Sequence, residues 1–79
     1  MASIYLNNSR LVVYPNDHPP PHVHVLGRGW EIRIELSNPP SLLTVAGSYK
    51  KQDIAKALLD TDQHLNHLKQ LWSDLHDYN

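Results

Sequence analysis

The chain reads as one small α+β domain, an antiparallel sheet of three to four strands packed on one face by a C-terminal helical hairpin. Three observations predict this. Residues 1–46 are rich in β-branched residues with period-two alternation. Clusters of Gly, Pro and Asn interrupt them at short intervals. From residue 48 to residue 77 the apolar spacing changes to three and four, the period of a helix.

Arg10-Leu11-Val12-Val13-Tyr14 is β-branched and aromatic and is stopped by the turn residues Pro15-Asn16-Asp17. Pro19-Pro20-Pro21 follows, and its fixed φ predicts a stiff extended arm. His22-Val23-His24-Val25-Leu26 is a second strand, closed by Gly27-Arg28-Gly29, a hairpin turn. In Trp30-Glu31-Ile32-Arg33-Ile34-Glu35-Leu36 the alternation is clearest, with Trp30, Ile32, Ile34 and Leu36 on one face. Ser37-Asn38-Pro39-Pro40 turns the chain into a fourth strand, Ser41–Ala46, whose inward face is ambiguous.

Ser48 is the expected N-cap of a first helix carrying Ile54, Ala55, Leu58 and Leu59. Asp60-Thr61-Asp62-Gln63 resembles a capping box and predicts a second helix from Thr61 to about Asp77, one kinked helix being the alternative. Its apolar stripe is Leu65, Leu68, Leu71, Trp72 and Leu75, with His64 on the margin.

Size and composition bound the function. With 79 residues and 41% hydrophobic content there is one core and no interdomain cleft. Chains this short often gain stability by pairing with a copy or a partner, so a homodimer fits. The absence of cysteine fits a reducing, cytoplasmic setting and removes thiol catalysis. The first eight residues have no basic stretch and no long apolar run, so neither a signal peptide nor a membrane anchor is expected. Seven Lys+Arg against eight Asp+Glu argue against nucleic acid as a direct target.

Six histidines are the compositional anomaly. His22 and His24 are two apart on a strand, so both imidazoles project from one face while Val23 and Val25 enter the core. Two neighbouring imidazoles are a metal-ligand pattern, zinc being the first ion to consider, and His18, Asp17 or His64 is the candidate third ligand. The same residues suit metal-free proton transfer, with His18, His22, His24 and His64 as the catalytic candidates. The bland alternative is an exposed strand face whose histidines bond to water or backbone. Asp17 is equally a turn former.

Lys50 and Lys51 sit where positive charge opposes the helix dipole, which would suit an acidic partner or a phosphate. Asp74 and Asp77 give the last helix an acidic face that can meet a basic partner surface. Trp30 and Trp72 are core anchors or interface residues.

The segment Asp17-His18-Pro19-Pro20-Pro21-His22-Val23-His24-Val25 resembles the motif of an uncharacterised bacterial family, domain of unknown function 4160. The likeness extends from about Ser9 to Trp72 and includes His64, eight positions before Trp72, as in the family's terminal helix. Ser48-Tyr49-Lys50-Lys51 stands where many members have a basic, proline-started helix. The resemblance implies a component of a two-gene, toxin–antitoxin-like module acting on a protein partner, either a cognate module protein or a host complex. Two other readings stand beside it. One is a His-based or metal-dependent hydrolase such as a ribonuclease. The other is a mobile-element inhibitor of a host defence nuclease, anti-CRISPR-like, acting through Asp74 and Asp77.

Overall fold

The structure, a computed structural model, describes residues 1–76. Five strands run in chain order: β1 (Ala2–Tyr5), β2 (Arg10–Val13), β3 (His22–Gly27), β4 (Trp30–Glu35) and β5 (Ser41–Gly47). They form one antiparallel meander in which each strand pairs with its sequence neighbours. Two helices follow, α1 (Lys51–Gln63) and α2 (Leu65–His76). The architecture is α+β. The sheet has five strands rather than three to four. The additional one is β1, whose four residues carry too little pattern to announce a strand and become one by pairing Ile4 with Leu11 and Ser3 with Val12.

Register places the alternation in space. Leu11 opposes Val25, which opposes Ile32, and Ile32 opposes Val45. Residues directly opposite in an antiparallel pair share a face. These side chains, with Val13, Val23, Ile34 and Leu36, pack against Ala57, Leu65, Leu68 and Trp72 of the helices. On the other face Val12 opposes His24, which opposes Arg33. A register shift between Arg33 and Ile34 puts Thr44 and Leu42 opposite them and leaves Leu43 over, which is why β5 shows no clean inward face.

The helices correct several local expectations. Lys50, not Ser48, is the N-cap of α1, and its N–H donates to the Asp53 carboxylate at 2.8 Å. Asp60 does not cap a second helix: it is buried inside α1, where Lys56 reaches it at 3.0 Å. Nor do α1 and α2 form a hairpin. Their junction is the single residue His64, and Leu68 N–H still donates to His64 O at 2.8 Å, so the helix bends without reversing. Ile54 and Leu58 face the core, whereas Ala55 and Leu59 are exposed. The proline arm is not extended either. The backbone bends at Pro19 and Pro20 before Pro21 O accepts from Leu36 N–H at 2.8 Å.

Two glycines shape the Trp30 end of the β4 ladder. Gly29 (φ 82°) turns the β3–β4 hairpin and Gly47 (φ 92°) lets β5 leave the sheet, both in the left-handed region. A Cβ on Gly47 would lie 2.2 Å from Gly29 O, while one on Gly29 would meet nothing within 4 Å. Gly47→Ala therefore lowers the unfolding free energy by about 2 kcal/mol or more, whereas Gly29→Asn costs under about 1 kcal/mol. Urea midpoints measure both. Equal losses would mean that the close approach to Gly29 is not what holds position 47.

Candidate metal centre

The parity of β3 sends Val23 and Val25 to the core and His22 and His24 to the opposite side, as the alternation predicts. Both histidines are nonetheless buried, His24 to 5% exposure. The segment between β2 and β3 covers them. Tyr14 meets the His24 ring edge-on at 4.8 Å, and Asp17 lies over both imidazoles.

One carboxylate oxygen, Asp17 Oδ2, is 2.8 Å from His24 Nε2 and 3.1 Å from His22 Nε2. The other nitrogen of each ring has its own acceptor. His22 Nδ1 donates to Pro20 O at 2.8 Å, and His24 Nδ1 donates to the Glu31 carboxylate. These partners assign the proton of the neutral ring to Nδ1 in both histidines, which leaves both Nε2 lone pairs aimed at Asp17. A lone pair and a carboxylate oxygen repel, so positive charge belongs between them. A proton supplies it, as does one cation shared by the three atoms.

Asp17, His22 and His24 offer three ligand atoms within 4.8 Å of one another. Two imidazole nitrogens and one carboxylate oxygen are the donors that zinc accepts in catalytic sites, and that non-haem iron accepts in facial sites. Around a tetrahedral zinc ion, ligand atoms stand about 3.3 Å apart; the two Asp17–His separations fall short of this by a few tenths of an ångström, and all three atoms lie within 4.8 Å of one another. The outer partners also fit. A metal-bound histidine ordinarily donates its second N–H to a carboxylate or a backbone carbonyl, the roles of Glu31 and Pro20.

The helix end closes the other side. The Trp72 ring lies 5.4 Å from the His22 ring and stacks on His76 at 3.7 Å. His76 Nδ1 faces Trp72 O at 2.8 Å and its Nε2 faces Asp17 O at 3.0 Å. The ring thus ties the backbone of the arm to α2 across 59 residues of sequence.

The predicted residues divide clearly. His22, His24 and Asp17 converge. His18, the neighbour of Asp17, is exposed and outside the cluster, because the chain presents only one of two adjacent side chains to the sheet. His64 is also outside it. Its Nδ1 donates to Asp60 O of its own helix at 2.9 Å, where α1 bends. Lys50 and Lys51 are exposed at the start of α1. Trp72 is a core residue, and Trp30 packs against the core half-buried. Asp74 is exposed and accepts from the Gln70 amide at 2.8 Å, while Asp77 lies outside the described residues. Glu31, Tyr14 and His76 join the site without having been singled out. Glu31 was legible in principle, since it sits on the His24 side of the alternating strand. His76 carried no local signal.

Among the described residues no helix is long and apolar enough to cross a membrane. No curated protein and no solved structure matches the chain. The family model described as domain of unknown function (DUF4160) matches residues 9–73, a span that holds the whole Asp17–His24 cluster and ends just after Trp72. The chain therefore belongs to the DUF4160 family.

Proposed function

We propose that Asp17, His22 and His24 bind one divalent transition ion, zinc the first to test, and that the chain acts as a small metal-dependent hydrolase. The observation that carries this reading is the pairing of satisfied Nδ1 atoms with two Nε2 atoms aimed at one carboxylate oxygen. Three protein ligands leave one position of a four-coordinate ion free, the arrangement of catalytic rather than structural zinc. Such an ion supplies an activated water at neutral pH.

The remaining roles fall to the protein's own groups. Glu31 and Pro20 O orient the two rings. The His76 ring fixes the backbone of Asp17. Substrate approaches from the Asp17 side, because that side chain keeps 26% of its surface exposed against 11% for His22 and 7% for His24. Trp72 beside His22 forms an apolar wall.

Purified protein is expected to take up one zinc ion per chain, by elemental analysis and calorimetric titration. The His22→Ala/His24→Ala double variant abolishes binding and any metal-dependent cleavage of an RNA or phosphodiester substrate. A wild-type chain that takes up no ion, with cleavage absent and a well-dispersed amide spectrum proving the fold, ends the proposal. Glu31→Ala weakens metal affinity by about 10–100-fold without removing a ligand, as loss of an outer carboxylate does. Unchanged affinity would remove Glu31 from the site.

A second reading, a protein-binding module, is favoured by β5. This edge strand has seven residues and no charge or proline, and Leu42 and Leu43 are 44% and 41% exposed. Edges of that kind ordinarily carry protection. The partner would be the cognate protein of a two-gene module, added to the sheet as a further strand. Thr44→Lys is expected to abolish co-purification of such a partner while leaving the fold intact; co-purification that survives the lysine excludes β5 as its docking edge.

A further inference from the structure

A second site lies on the helix-covered side of the sheet, away from the histidines. Asn8 and Ser9 of the β1–β2 turn, Arg28 and Trp30 of the β3–β4 hairpin, and Lys56 and Asp60 of α1 line a cavity of about 600 Å³. Val25 and Ala57 of the core also border it. That volume falls within the roughly 300–1,000 Å³ of small-molecule sites.

Two features give the cavity a chemistry. The first is a fixed aromatic wall. Gly27 pairs with Trp30, and a Cβ on Gly27 would lie 2.1 Å from Trp30 Cε2, so the indole rests where only glycine leaves room. The second is one uncommitted cation. Asp60 is paired with Lys56 at 3.0 Å, while Asp53, which also borders the cavity, has only the Lys50 backbone N–H as partner, at 2.8 Å. Arg28 is exposed and has no ion-pair partner among the described residues.

We infer that this cavity binds a small molecule with a planar, hydrogen-bonding ring and one anionic group, the ring on Trp30 and the anion on Arg28. Stacking on an indole holds a planar ring whatever its substituents. The guanidinium fork fits carboxylate and phosphate alike. The amide of Asn8, which borders the cavity, meets the polar edge of the ring. A nucleoside 5′-monophosphate and an aromatic amino-carboxylate are the two sources of this chemistry.

The test is an amide- and indole-detected NMR titration of the full chain, with the Trp30 indole signal identified by its loss in Trp30→Phe. Nucleoside 5′-monophosphates, anthranilate and inorganic phosphate are the probes. The expected result is saturable movement of the Trp30 signal, with Kd below about 1 mM for one ring-bearing probe and much weaker binding of phosphate. Arg28→Ala then weakens that probe at least about tenfold, as loss of a charge-assisted fork does. Lys69→Ala, exposed on α2, leaves its affinity unchanged. Whichever ring-bearing probe saturates identifies the source. Three outcomes overturn the inference: no saturable movement with any probe, binding by phosphate alone as tight as by the ring-bearing molecules, or binding indifferent to Arg28→Ala in a variant with a native-like spectrum.

Discussion

Strand β3 alternates between two environments, and that alternation organises the molecule. Val23 and Val25 must face the helices for the core to close, since they sit opposite Ile34 and Ile32 and are fully buried. The same parity forces His22 and His24 outward onto the other face. There the imidazoles would be ordinary surface groups but for Asp17, which lies over both and brings one carboxylate oxygen between them. A slip of one residue would bury two imidazoles in the core and expose the valines, so register and site stand or fall together.

Burial makes the polar cluster demanding. Each polar atom taken from water needs a partner. The structure meets that need from four places in the chain: Pro20 O for one ring, Glu31 of β4 for the other, Asp17 between them, and His76 of α2 holding the Asp17 backbone. The cluster thereby joins sheet, arm and helix.

The β3–β4 hairpin carries different chemistry at its two ends and on its two faces. Near its open end the histidines meet the arm and the tip of α2. At its turn Gly27 gives way to the Trp30 indole, and Gly29 and Gly47 permit the close passage of β4 and β5. The strands of the hairpin thus separate the histidine cluster from the cavity beside Trp30. The long, uncharged edge β5 adds an exposed feature, on the strand whose register shift leaves Leu43 unpaired in the ladder.

Much of this was legible in order of residues. Alternation in Trp30–Leu36 and in His22–Leu26 set the two central strands, their inward faces and the common direction of the two imidazoles. The position of the hairpin turn and the core roles of Leu65, Leu68 and Trp72 followed equally from period. Short or weakly patterned pieces did not: β1 exists through pairing with β2, and the Asp60 capping pattern was overridden because the helix continued and Lys56 took the carboxylate. The third member of the histidine cluster was decided only by the fold. Asp17 and His18 are adjacent, and nothing local selects between them. The bend of the backbone at Pro19 and Pro20 and the bond from His76, far along the chain, turn Asp17 inward and leave His18 in solvent. Parity is a property of two neighbouring residues and survives without context. Convergence depends on the path of a loop and on a contact across 59 residues, which only the folded chain supplies.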